Sequence, residues 1–214
     1  MIVEALYLPQ FHRFKENDRW WGEGFTEWFN VRNANPIFKD HLILKKSLWG
    51  EYDLSDPKTM AKQYAYAKKI GVDVFSVYHY WSNGKLLMEK PIENLLKSKN
   101  HEFKFYLNWA NHSFFNKVDG LTKKLLWKQK YCQNFIDSHV TYLNNAMQDY
   151  RYHRINGMPV FNIYDPRNIP NFRSFITKYK ERFLKKYKTE IHLRLTLKDY
   201  KDIDLIKNNL DLID

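Results

Sequence analysis

The sequence predicts an α/β fold, a (β/α) TIM-type barrel present as about five of its eight units, and three observations lead there. Five short apolar runs rich in β-branched or aromatic residues alternate with longer helix-like stretches, the pattern of βαβ units around a parallel sheet. No Gly-x-Gly-x-x-Gly or Walker-type loop follows the first run, and only seven glycines occur, which disfavours a dinucleotide-binding doubly wound sheet. Polar and aromatic clusters stand immediately after the runs, where a barrel gathers its functional mouth.

The first strand is expected over Ile2 to Leu8, followed by a long loop dense in aromatic residues. A helix from Asp56 to Ile70 is opened by Ser55 and Pro57 and closed by Gly71. The second strand runs from Val72 to Tyr78 and the third from Phe103 to Trp109, with a helix near Leu87 to Lys97 between them. A long helix is expected over Leu125 to Asp149, a strand over Pro159 to Tyr164 and a helix over Asn171 to Lys186. The fifth strand, Glu190 to Thr196, leads into a helix over Lys198 to Asn208. Leu210 to Asp214 has the pattern of a sixth strand beginning. Residues 1–214 are therefore expected to form a single domain that stops short of a closed barrel, which typically needs about 250 residues. An open fifth-strand edge is expected to promote self-association.

The 214 residues, 44% hydrophobic and 28% charged, suffice for one sizeable core. The formal charge of +11 lies mostly in helix-like stretches such as Lys178, Lys180, Arg182, Lys185, Lys186 and Lys188. A solvated helix face is the first reading, with attraction to an anionic membrane surface or an acidic glycan as the other. No helix-turn-helix, zinc-finger or RNA-recognition signature accompanies the charge, so a nucleic-acid partner is not expected. The single cysteine, Cys132, excludes an intrachain disulfide, and the eight histidines show no His-x-x-x-His pair; no metal and no cofactor is expected. The first residues lack the basic flank and apolar stretch of a signal peptide, and no run of about 18 apolar residues follows, so a cytoplasmic location is expected.

Aromatic residues make up 17% of the chain. Tyr7, Gln10 and His12 end the first strand, and Trp20, Trp21, Glu27 and Trp28 crowd the loop beyond it. Indole rings suit the C–H face of a pyranose, while Gln, Asn, Glu and His offer donors and acceptors for hydroxyl groups. A carbohydrate site is one reading; a loop packed by its own aromatics is the other. His79, Tyr80 and Trp81 follow the second run, Asn108, Trp109, Asn111 and His112 the third, and Tyr164 and Asp165 the fourth. Glu27, Asp165 and His79 are the candidates for proton transfer, since glycosidic chemistry ordinarily uses paired carboxyl groups and histidine exchanges protons near neutral pH. Each has a plainer alternative: Glu27 gripping a hydroxyl, Asp165-Pro166 opening a turn, His79 held at a strand end.

Tyr7-Leu8-Pro9-Gln10-Phe11-His12, Glu16-Asn17-Asp18, Trp20-Trp21-Gly22 and Gly24-Phe25-Thr26-Glu27-Trp28 together resemble the N-terminal signature of the WbsX family, whose domain is similar to family-99 glycoside hydrolases. The resemblance continues in order through Tyr52-Asp53-Leu54, Tyr78-His79-Tyr80-Trp81 with Asn83-Gly84, Trp109-Ala110-Asn111, Asp119-Gly120, and Gly157-Met158-Pro159-Val160-Phe161 with Tyr164. It implies a (β/α) barrel that handles oligosaccharide or polysaccharide, encoded with O-antigen, lipopolysaccharide or capsule biosynthesis and commonly labelled a glycosyltransferase. The family's Trp-Asn-Glu-Trp acidic motif does not occur in these 214 residues, and His112 stands where the family usually presents a glutamate. The same resemblance therefore also fits a degenerate barrel that binds glycan without cleaving or forming bonds.

Overall fold

Nine strands and seven helices appear among the described residues of the computed structural model, which are 1–82, 84–98, 102–117, 123–131 and 135–213. Asn83, Asp119, Gly120 and Cys132, singled out above, lie outside them. In chain order the elements are β1 (Glu4–Tyr7), α1 (Lys15–Trp21), α2 (Glu27–Arg32), α3 (Pro57–Lys69), β2 (Val74–Ser82), β3 (Lys85–Leu87), α4 (Lys90–Lys97) and β4 (Phe105–Trp109). After these come β5 (Phe114–Lys117), β6 (Lys123–Trp127), α5 (Phe135–Met147), β7 (Arg154–Ile155), β8 (Met158–Ile163), α6 (Phe172–Tyr187), β9 (His192–Leu195) and α7 (Asp202–Lys207).

Five strands pair in parallel in the order β1-β2-β4-β8-β9. These are the five runs expected from the sequence, and they give the barrel-type α/β arrangement. β2 and β4 are buried along their whole length, as central strands covered on both faces must be. The chain divides into two compact units. One, Met1–Tyr7, Gly71–Leu87 and Phe103–Asp214, holds every strand with α5, α6 and α7. The other, Leu8–Ile70 and Met88–Glu102, holds α1 to α4. Among the described residues no helix is long and apolar enough to cross a membrane.

Several boundaries differ from the sequence reading. β2 runs on to Ser82, so His79, Tyr80 and Trp81 lie within the strand, which turns through Gly84 (φ 76°) into β3. Leu125 to Trp127 belong to the antiparallel β5–β6 hairpin, so the long helix begins only at Phe135. The aromatic loop after β1 carries α1 and α2. Leu210–Leu212 form a 3-10 turn in place of a sixth strand. At α3 the cap is Asp56, whose side chain accepts from the Lys58 N–H at 2.9 Å, with Pro57 in the first turn.

One contact shows that the sheet curls. Arg194 on β9 donates through Nη1 to both carboxylate oxygens of Glu4 on β1, at 2.9 and 2.8 Å, across three intervening strands. In a flat sheet those strands would stand about 19 Å apart, beyond the combined reach of the two side chains. The Tyr106 hydroxyl donates to the same carboxylate at 2.9 Å, so Glu4 closes a brace across the inside of the curve. Arg194→Met leaves that half-buried carboxylate without its cation and is expected to cost about 1–3 kcal/mol, read as a lower urea midpoint. A midpoint equal to the parent's would show that the sheet holds its curvature without the brace.

Candidate functional site

Alternation along the parallel strands sorts their side chains into two faces. Phe75, Val77, His79 and Trp81 on β2, Phe105, Leu107 and Trp109 on β4, and Phe161 and Ile163 on β8 share the face covered by α5 and α6. Trp109 meets Phe135 and His139 of α5 with centroids 5.3 and 4.9 Å apart, and Phe161 stacks on Tyr179 of α6 at 6.0 Å. The opposite, inner face is polar. Asn108 donates to the Ser76 hydroxyl at 3.2 Å, and Asn162 donates to the Asn108 side-chain oxygen Oδ1 at 2.7 Å and to the Thr196 hydroxyl at 2.8 Å. This row spans four strands above the Glu4–Arg194 brace and forms a hydrogen-bonded floor.

At the carboxyl ends of the strands, the same face carries Tyr78, Tyr164, His112, Asp165 and Lys198. Tyr78 and Tyr164 meet edge to face at 5.3 Å, and burial followed by the neighbouring Tyr164 pushes the Tyr78 phenol up to about 12. His112 lies 5.7 Å from the Tyr164 ring. Burial lowers its pKa, Asp165 opposes that shift and Lys198 adds to it, so the imidazole is neutral at pH 7. Lys198 pairs with Asp165 and sits 5.2 Å over the Tyr164 ring. Asn168 donates to Asp165 Oδ2 at 2.9 Å.

Two fully buried polar residues hold this group. Asn111 donates to the Asp165 carbonyl at 2.7 Å and accepts from its N–H at 2.8 Å, clasping the backbone on both sides. Asp202 accepts from the Lys198 and Asp199 N–H groups at 2.7 and 3.1 Å, and Arg167 Nε lies 2.7 Å away as its counter-ion. Burial alone would raise the Asp202 pKa; the two N–H groups and the cations Arg167 and Lys198 overcome it and hold it below the ordinary carboxylate range. Among the described residues no three His, Cys, Asp or Glu side chains converge as a metal would require.

The other residues singled out in the first unit point elsewhere. Tyr7, at the end of β1, packs on Phe75 and Phe103 at 4.9 and 5.6 Å. His79 is buried against α5, its Nε2 2.9 Å from His139 Nε2, and burial pushes it down to about 3. Trp81 stacks on His139 at 5.0 Å, and Trp109, with no exposed surface, donates Nε1 to the Trp81 carbonyl at 3.1 Å. So Tyr7, His79, Trp109 and Tyr164 share one end of the sheet, yet the first three stand on the opposite face and only Tyr164 faces inward. Tyr80 is buried on the inner face, between Tyr78 at 6.4 Å and Phe114 at 5.3 Å.

In the second unit, Trp28 is buried between Phe11 and Tyr52, with Nε1 donating to the Tyr52 carbonyl at 2.8 Å. Glu27 opens α2, where the helix dipole favours a carboxylate, and accepts from Asn30 at 3.1 Å. His12 is buried and neither ring nitrogen has a well-aligned partner, though the Pro9 carbonyl lies near. Burial lowers its pKa, with Asp53 pulling the other way. Trp20 and Gln10 are half-buried, whereas Trp21 is exposed and stacks on Phe25 at 5.6 Å.

Sequence reasoning passed over Tyr78, Asn162, Thr196 and Lys198. The missing signal was parity: each stands an even number of places from an inner-face neighbour on its own strand or its extension.

Parallel βα units with a polar inner face place the molecule among the (β/α)-barrel proteins. The model of a family described as "Glycosyltransferase WbsX" matches residues 3–213, and the chain belongs to that family. The uncharacterized protein WxcX of Xanthomonas campestris pv. campestris, in strains B100 and ATCC 33913, is 36% identical over 168 residues, 78% of this chain. Those residues span 24% of the relative, about a quarter of its length. Among solved structures, the GH99 endo-alpha-mannosidase from Bacteroides thetaiotaomicron is similar with a TM-score of 0.57 at 16% identity, covering 96% of this chain and 57% of that one. Its complex with BIS-TRIS-propane gives 0.53.

Proposed function

We propose that residues 1–214 belong to one WbsX domain that binds an oligosaccharide or polysaccharide and acts on glycosidic bonds in bacterial surface-polysaccharide assembly, of O-antigen or capsule, in the cytoplasm. The observation that carries this reading is the inner face at the carboxyl ends of the strands. There the half-buried ring of Tyr164, packed against the buried Tyr78, stands beside the polar groups of His112, Asp165 and Lys198, over a hydrogen-bonded floor. Aromatic surface with a few fixed donors and acceptors is what a pyranose needs. The family description and the mannosidase-like fold support a glycan as the ligand.

A second reading, glycan binding without bond chemistry by these residues, is favoured by one feature. Asp165, the carboxylate at this mouth, is already paired with Lys198 and bonded by Asn168, which suits holding hydroxyl groups better than donating a proton.

The test is an array of bacterial surface oligosaccharides and α-manno-oligosaccharides probed with the chain. Tyr164→Ala is expected to weaken the best binder about 10-fold, equivalent to roughly 1.4 kcal/mol, while the melting temperature stays close to the parent's because the ring is only half-buried. Binding unaffected by the substitution would move the site off this face.

A further inference from the structure

We infer that Asp165 and Lys198 form a clamp for a vicinal diol, selecting a sugar that presents two neighbouring free hydroxyl groups beside the ring of Tyr164. The inference rests on the glycan-binding reading and names the ligand feature that this site selects.

The pair is built to be present before any ligand arrives. Asn111 fixes the Asp165 backbone through two hydrogen bonds and Asp202 fixes the Lys198 backbone through another, and both of these polar residues are fully buried. Burying an amide and a carboxylate is costly unless their bonds are made. Here those bonds converge on two residues whose own side chains remain partly open, Asp165 at 13% and Lys198 at 27% exposure.

Within the pair, the capacity left over is of two kinds. Lys198 and Asn168 both bond Asp165 through Oδ2, so among the described residues Oδ1 keeps its acceptor lone pairs. An ammonium carries three donors, and Lys198 spends one on Asp165. An adjacent acceptor and donor is the complement of a diol, in which one hydroxyl donates to the carboxylate and its neighbour accepts from the ammonium. Neighbouring pyranose oxygens stand about a hydrogen-bond length apart, and the ammonium is held against Oδ2 of the same carboxylate whose Oδ1 is left as acceptor, so the donor and the acceptor lie side by side. Tyr164 beneath Lys198 supplies the apolar surface for the ring carbons between those hydroxyls. A lone carboxylate or a lone lysine would accept any single hydroxyl; the fixed pair demands two on adjacent carbons.

The experiment uses the whole chain and methyl glycosides of mannose, glucose, galactose and rhamnose, with titrations followed by saturation-transfer NMR. For each sugar that binds, the monodeoxy derivatives are compared with it. Removing either member of one adjacent hydroxyl pair is expected to weaken binding about 10-fold or more, and removing the other hydroxyls much less. Asp165→Asn and Lys198→Met should each weaken the parent sugar by a similar factor and erase the discrimination against its deoxy forms. Lys198→Arg, which keeps the charge, controls for folding and should retain part of the preference.

Uniform binding of every deoxy derivative, or full discrimination in both variants, overturns the clamp while leaving a glycan site standing. Failure of all the glycosides and of the array oligosaccharides to bind overturns the clamp and the glycan-binding reading together.

Discussion

Trp109→Ala is expected to lose about 3–5 kcal/mol of folding stability, the range for deleting a large aromatic side chain from a core. Trp109 has no exposed surface, packs between Phe135, His139 and Phe161, and ties its indole N–H to the Trp81 carbonyl. A domain of ordinary stability has roughly 5–15 kcal/mol in total, so the variant should unfold at much lower urea and melt well below the parent. Tyr164→Ala should do the reverse, sparing stability and weakening glycan binding. A Trp109→Ala protein as stable as the parent but unable to bind glycan would return Trp109 to the site, where its position at a strand end first suggested it belonged.

Stability should also fall as pH drops below neutrality. His79 and His139 face each other through Nε2 at 2.9 Å, and the Tyr179 hydroxyl bonds His139 Nδ1 at 2.7 Å. Burial pushes His79 down to about 3; burial and then His79 hold His139 well below 6.5. Both are therefore neutral in the fold, whereas in the unfolded chain they take up protons below about 6.5. Their contribution is complete above that pH and is lost as pH falls toward the folded values, at up to about 1.4 kcal/mol per pH unit for each. Asp202 works in the same direction, but only near and below its ordinary 3.8, so the span from pH 6.5 to 4 belongs to histidines. His12, His112 and His153, also lowered by burial, add to it. Urea midpoints at pH 7 and pH 5 measure the slope. His79→Gln, which cannot titrate, should flatten it by roughly one histidine's share, about 2 kcal/mol at pH 5. An unchanged slope would mean that His79 is not among the groups responsible.

The alternation of strands and helices was legible because parallel strands buried on both faces read as short apolar runs, and all five appear in the expected order. The β5–β6 hairpin was not. Leu125, Leu126 and Trp127 are as compatible with a helix as with a strand, and only pairing with Phe114 and Phe115 decides between them. Of the site, Tyr164, Asp165, His112 and Asn108 do lie on the inner face. His79 and Trp109 were assigned by their distance along the strand, which fixes the end of the sheet but not the face. The face was encoded too: Ser76-Tyr78, Tyr106-Asn108, Asn162-Tyr164 and Arg194-Thr196 form one polar parity, and Phe75-Val77-His79, Phe105-Leu107-Trp109, Phe161-Ile163 and Leu193-Leu195 an apolar one. His79 was misleading because a titratable ring sits in the apolar set, satisfied there by His139. For Lys198 parity gave the face but not the role, since a lysine after a strand is ordinary until Asp165 is seen beside it.

The bond between Glu4 and Arg194 also sets an order of events in time. The two residues are 190 apart in sequence, so on a ribosome adding about 5–20 residues per second the carboxylate waits about 10–40 s for its cation to be made. Closing so long a loop early would cost chain entropy with little to offset it, so the brace is expected to form after β2, β4 and β8 have assembled between its ends. Through that interval the carboxylate on the short first strand lacks the cation that balances it in the fold. The curl that places Tyr164 and Lys198 over the polar floor is thus expected late, when the fifth strand arrives.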